Sequence, residues 1–196
     1  AVSFGRTVFG IVLGLIASAV LIGISGVNPF VAYGALIRGA FGNGQALSNV
    51  LVRASPLLLG GIGVSLGIKA GVWNIGMEGY MYLGAIGASL AGVLELGLPP
   101  ILHILLCFLC AAAFSAVWGI IPGYLRAYKG VNEVTATIMM SYIAIYLTNW
   151  VVSCLPLVAE VGAFYPMSKK FAPSALLPIL MKGSSLHPGP FIAVLL

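Results

Sequence analysis

Long apolar runs, each bounded by charged or helix-breaking residues, organise the chain. A bilayer core of about 30 Å takes about 20 apolar helical residues. The runs at about 7–26, 48–68, 70–94, 98–125 and 134–157 meet that length. The first follows Arg6 and has no small-residue cleavage site leading into a polar domain, so it reads as a retained span and not a signal peptide. Segment 27–46 is mixed, with Asn28-Pro29 and Gly42-Asn43-Gly44 as breakers, and reads as a short amphipathic piece at the surface. Arg53 and Lys69, near the ends of the second run, can snorkel to the headgroups, and Pro56 can kink it. The character changes at about 158–188. This stretch carries Lys169, Lys170 and Lys182 and is rich in proline, so it reads as an extramembrane loop with a short helix around 175–181. Another apolar run opens at about 189, and the chain is expected to be the N-terminal portion of a longer polypeptide. Residues 1–196 therefore read as one all-α domain, a polytopic membrane helix bundle.

Composition sharpens this picture. The chain is 61% hydrophobic and 7% charged, with a mean hydropathy of +1.13. A soluble domain has about 45–50% apolar and about 25% charged residues, so an ordinary cytosolic or disordered chain is excluded. Nine cations against four acids give a net charge of +5. The cations come singly or in pairs between apolar runs, which suits membrane-flanking loops and not a nucleic-acid surface. Cys107 and Cys110 have CxxC spacing but no second pair, so with Cys154 they read as buried small hydrophobes and not as a metal site. There is no Asp, no nucleophile–His–acid set and no GxxxxGK[ST] phosphate loop. Neither catalysis nor a cofactor is expected of this chain.

Small residues recur every fourth position at Gly10/Gly14/Ser18, Gly63/Gly67/Gly71, Gly84/Ala88/Gly92 and Ala111/Ser115/Gly119/Gly123. Such rows let helix backbones approach closely in lipid, which favours a compact multi-helix bundle. Orientation stays open. With the N-terminus inside, Arg6, Lys69, Arg126 and Lys129 face the cytoplasm, while Arg38, Arg53, Lys169, Lys170 and Lys182 face outward.

Two stretches carry the candidate chemistry. In Gly71-Val72-Trp73-Asn74-Ile75-Gly76-Met77-Glu78-Gly79-Tyr80, a carboxylate sits inside an apolar run. Facing lipid, it would cost on the order of 2.5–3.5 kcal/mol. Gly71, Gly76 and Gly79 weaken the helix around it, and non-helical backbone at that depth must be covered by protein or line a cavity. The expectation is a broken or re-entrant helix. Asn74 and Glu78 would lie one helical turn apart, and Asn74, Gly76, Glu78 and Tyr80 are the candidate substrate-path residues. The competing reading is a helix start near the headgroups, with Glu78 merely structural. In Gly130-Val131-Asn132-Glu133-Val134-Thr135-Ala136-Thr137, Asn132 is the candidate cap of a new helix and Glu133 suits its first turn. Thr135, Thr137, Ser141 and Asn149 add polar groups to the following span, and His103 reads as a satisfied structural histidine.

These stretches also carry a resemblance. GVWNIGMEGY, preceded by RASPLLLGGIGVSLGIKA, resembles the permease subunits of ATP-binding-cassette importers of the nucleoside and simple-sugar group, related more distantly to ribose-type and branched-chain amino acid permeases. GVNEVTATIMMSYIA looks like a second motif of that group, and NPFVAYGALIRGAFG resembles its surface segment. The similarity runs from about residue 6 to 191. Relatives often carry Gln at the position of Tyr80 and Asn at that of Ser141, and their ATPase-coupling segment is expected beyond this chain. The resemblance implies an N-terminus inside, 129–133 in the cytoplasm and 160–190 outside. It also implies a multi-pass protein of a bacterial-type plasma membrane, embedded in lipid. Its expected partners are separate ATPase subunits that hydrolyse ATP, a second permease subunit in a homo- or heterodimer, and an extracytoplasmic substrate-binding lipoprotein. A nucleoside and a sugar both stay open as cargo. So do an ion- or proton-coupled secondary transporter using Glu78 and a non-transporting membrane scaffold.

Overall fold

The computed structural model describes residues 2–160, 162–181 and 183–195, with side chains described from residue 5 onward. Its helices are α1 (Val2–Ile24), α2 (Pro29–Phe41), α3 (Gly44–Lys69), α4 (Met77–Gly92), α5 (Pro100–Lys129), α6 (Glu133–Cys154) and α7 (Gly189–Leu195). A 3₁₀ turn at Pro173–Ala175 and an isolated bridge between Ala159 and Ser168 complete the regular structure among the described residues. Four helices are long and apolar enough to cross a membrane: Gly5–Ile24, Gly44–Lys69, Pro100–Lys129 and Glu133–Cys154.

The chain divides into two compact units. The first holds residues 1–54 and 179–190. In it, α1 exposes Phe9, Leu15, Val20 and Leu21, as an all-apolar helix does when lipid is its surroundings. Asn28 caps α2 by accepting from the Phe30 N–H at 2.9 Å, with Pro29 in the first turn. The supposed breaker Asn28-Pro29 thus starts a helix, because proline lacks only an N–H that is unpaired there anyway. Tyr33 ties α2 to α1 by donating to the Leu15 carbonyl at 2.6 Å. The first turns of α3 hold the loop of this unit. Gln45 donates to the Gly183 carbonyl, and Ser185 Oγ donates to Asn49 Oδ1 at 3.0 Å. Lys182 lies outside the described residues.

The second unit holds residues 55–178 and 191–196. Here α4 packs against both α5 and α6 through glycines. A Cβ at Gly84 would lie 2.8 Å from Ser115 Oγ, and one at Gly87 would lie 2.5 Å from the Cys110 carbonyl oxygen. Within the Gly84 row, Gly84 and Gly92 make room for the side chains of Ser115 and Phe171, while the close approach of backbones falls at Gly87, outside the row. A core of Leu83, Ile86, Ala144, Val151 and Val158 fills the space beside it. Beyond α4, Ala172 N–H donates to the Gly92 carbonyl at 2.8 Å. His103, fully buried, bridges Ser174 Oγ at 2.8 Å and the Ala91 carbonyl at 3.0 Å. Because a carbonyl only accepts, Nε2 carries the proton and Nδ1 accepts from the serine hydroxyl.

The run 70–94 is broken: within it only Met77–Gly92 is helical, and 72–76 is irregular. Two expectations are corrected. No helix forms at 175–181, where the 3₁₀ turn stops at Ala175. Pro178 explains this, since it lacks a donor and pushes the residue before it out of the helical region. Cys107 is buried as expected, but Cys110 is half-buried and Cys154 exposed; all three are free thiols.

Candidate functional site

The site grows from the break between α3 and α4. Gly71 ends the α3 region with φ +78°, a left-handed conformation that side chains other than glycine's disfavour. The chain then runs without regular structure to Gly76, and its polar backbone groups find specific partners. Asn74 Oδ1 accepts from the Gly76 N–H at 2.9 Å, and Asn74 Nδ2 donates to the Tyr80 hydroxyl at 2.8 Å. This local bonding gives the backbone an alternative to the helix and holds the break open.

The two motifs found in sequence interlock across α4 and α6. Ile75 N–H donates to Thr137 Oγ1 at 3.3 Å, and Gly79 N–H donates to Ser141 Oγ at 3.3 Å. A Cβ at Gly76 would meet Thr137 Cβ at 2.9 Å, and one at Gly79 would meet Ser141 Cα at 2.8 Å. The glycines are required because two backbones touch there. At the α5–α6 turn, Gly130 closes α5 with φ 64°. Asn132 Oδ1 then caps α6, accepting from the Val134 N–H at 2.9 Å and the Thr135 N–H at 3.2 Å. Glu133 pairs with Arg126 Nε at 3.1 Å. One carboxylate therefore links the start of α6 to the end of α5.

Beside the break lies a cleft of about 540 Å³ between α3, α4 and α5. Each helix lines it with residues at i, i+3, i+4 and i+7, the spacing of a single helical face. These are Gly60, Gly63, Val64 and Gly67 from α3, Met77, Tyr80, Met81 and Gly84 from α4, and Phe108, Ala111, Ala112 and Ser115 from α5. Val72 and Asn74 complete it. A Cβ at Gly63 would have nothing within 4 Å. That part of the Gly63 row lines open space instead of packing a helix. Ser115 Oγ donates to the Tyr80 carbonyl at 2.8 Å and holds α4 to α5 at the cleft's edge.

Of the sequence candidates, Asn74, Gly76 and Tyr80 come together, and Asn74 and Tyr80 line the cleft. Glu78 does not join them. It is exposed in the first turn of α4, on a stripe with the exposed Tyr82 and Ala85. The expected helical-turn relation between Asn74 and Glu78 is absent because α4 starts only at Met77 and the backbone from 72 to 76 is not helical. Asn132 and Glu133 form a separate cluster with Arg126. Sequence reasoning named Thr137 and Ser141 only as polar residues in a span. Their spacing of four, set against Gly76 and Gly79 three apart, was the available sign that hydroxyls on one helix meet glycine backbone on another. Phe108 and Arg126 carried no local signal of their roles. No cluster of metal-ligating side chains occurs among the described residues.

Membrane-length helices flanking a broken one, with polar backbone groups satisfied by neighbouring side chains, define a multi-pass membrane protein. The chain belongs to the family described as the permease component of branched-chain amino acid transport systems, whose pattern matches residues 46–196. It is 38% identical over 143 residues to the guanosine ABC transporter permease protein NupP of Bacillus subtilis, covering 73% of this chain and 41% of that protein. It is 34% identical over 187 residues to the glucose ABC transporter permease protein TsgB13 of Haloferax volcanii, covering 95% and 48%. To the nucleoside ABC transporter permease protein NupB of Lactococcus lactis it is 32% identical over 142 residues, covering 72% and 39%. The chain thus spans less than half the length of these curated relatives. No solved structure matches it.

Proposed function

We propose that the chain is the membrane-spanning permease subunit of an ATP-binding-cassette importer and forms the translocation path for a nucleoside or simple sugar. ATP is hydrolysed on partner ATPase subunits. A second permease subunit, the same or different, completes the path, and an extracytoplasmic binding lipoprotein delivers the cargo at a bacterial-type plasma membrane. The observation that carries this reading is the unwound segment 72–76, with its polar groups held inside the bundle beside a cleft, in a chain of this family. Broken helices of this kind are where transporters bind and pass solutes. Asn74, Gly76 and Tyr80 form the fixed part of the path, and Glu78 offers an exposed carboxylate in the first turn of α4.

Two measurements test the reading. Uptake by the intact system is expected to require ATP and to survive collapse of the proton gradient, with an ATPase and a binding protein co-purifying. Uptake that stops with an uncoupler while ATP stays high overturns it in favour of an ion-coupled carrier. For Glu78, Gln keeps size and hydrogen bonding, so Glu78→Gln is expected to assemble and keep part of the uptake, whereas Glu78→Leu loses most of it. Wild-type uptake by Glu78→Leu removes Glu78 from the path.

A further inference from the structure

We propose that the α3–α4–α5 cleft is a base-stacking site for an uncharged nucleoside, with Tyr80 and Phe108 as aromatic walls and the Asn74–Tyr80 pair reading the base edge. This rests on the transport reading above and assigns its cargo and specificity residues.

The chemistry of the lining separates the two cargo classes. No charged side chain lines the cleft, so a nucleotide or sugar phosphate would lose its hydration without a counter-charge. Its volume of about 540 Å³ is that of a small-molecule site. The polar lining side chains are Asn74, Tyr80 and Ser115, and they are already partly engaged. Ser115 spends its hydrogen on the Tyr80 carbonyl, and Asn74 Oδ1 receives the Gly76 N–H. Two donors remain side by side. Tyr80 Oη accepts from Asn74 Nδ2, which leaves the phenol hydrogen free, and the amide keeps its second hydrogen.

A hexose carries hydroxyls around its whole ring, and those buried against Gly, Ala, Val and Met would go unpaired. A nucleobase has two apolar faces and one polar edge. Its faces suit Phe108, Tyr80 and the thioethers of Met77 and Met81. Its edge acceptors, such as the adjacent O6 and N7 of guanine, suit a pair of neighbouring donors. Gly63, with no Cβ and nothing near it, leaves a flat wall on the α3 side for a planar ligand.

The test uses the full-length permease in cells with its ATPase and binding protein, measuring uptake of labelled guanosine and labelled glucose. Guanosine uptake is expected, unaffected by excess glucose. Phe108→Ala is expected to lower it about tenfold, the effect of losing one base–aromatic stack, and Phe108→Tyr to restore it. Ala112→Leu, which narrows the cleft, is expected to lower it as well. In parallel, 8-azidoguanosine photolabelling of the wild-type complex, which needs no variant to fold, is expected to mark peptides containing residues 77–84 or 108–115. Guanosine uptake unchanged in assembled variants, or photolabel confined to other peptides, overturns the cleft while leaving the importer reading intact. Glucose uptake that guanosine does not compete overturns the nucleoside class alone. A complex that moves neither solute overturns the reading on which this inference rests.

Discussion

At Gly87 an added methyl would sit 2.5 Å from a carbonyl oxygen of α5, and at Gly79 2.8 Å from the Cα of Ser141. Backbone, unlike the end of a flexible side chain, cannot step aside. Gly79→Ala and Gly87→Ala are therefore expected to cost about 1–3 kcal/mol, as overpacking does. At Gly61 nothing lies within 4 Å, so Gly61→Ala is expected to be neutral or to gain up to about 1 kcal/mol of helix propensity. Thermal unfolding of the purified full-length permease checks this, and equal loss at all three positions would remove close approach as the reason for the glycines. The rows of small residues were visible in the sequence. Which glycine meets backbone and which meets open space was not, because that depends on the neighbour and not on the row.

At the scale of elements, α4 starts at Met77 and not at Ala70 because side chains compete successfully for its backbone. Asn74 takes the Gly76 N–H and Thr137 takes the Ile75 N–H. Thr137→Val keeps the shape and removes the acceptor. The Ile75 amide is then expected to exchange with solvent about three- to tenfold faster, the effect of losing one hydrogen bond, while amides in the middle of α6 stay protected. No change at Ile75 would mean that Asn74 alone holds the break. For α6, Asn132→Ala is expected to cost about 1 kcal/mol and Asn132→Asp much less, read as the melting temperature. Three glycines around a carboxylate were enough to foresee a break. The partners that fix it sit 62 positions away in sequence, beyond the reach of any local pattern.

At the scale of the whole molecule, charge counting left the topology balanced, and we propose the orientation that the family resemblance implies, with the α5–α6 turn in the cytoplasm. A thiol reagent that cannot cross membranes is expected to label Ala163→Cys, in the exposed segment after α6, from outside sealed cells. Asn132→Cys is expected to react only after the cells are opened. Labelling of Asn132→Cys from outside reverses this orientation.

The amino-acid sequence by itself determined the membrane class, the membrane-length runs, the break near Gly71–Gly79 and the capped start at Asn132. All of these follow from hydrophobicity, glycine and short-range hydrogen bonding, which act within a few residues. Only the tertiary structure decided that Asn74 turns to Tyr80 and not to Glu78, and that Glu133 reaches Arg126. It alone decided that three helical faces leave a neutral cleft lined by Phe108. Those outcomes depend on which backbones glycine allows to touch and on the buried donors each contact must then satisfy.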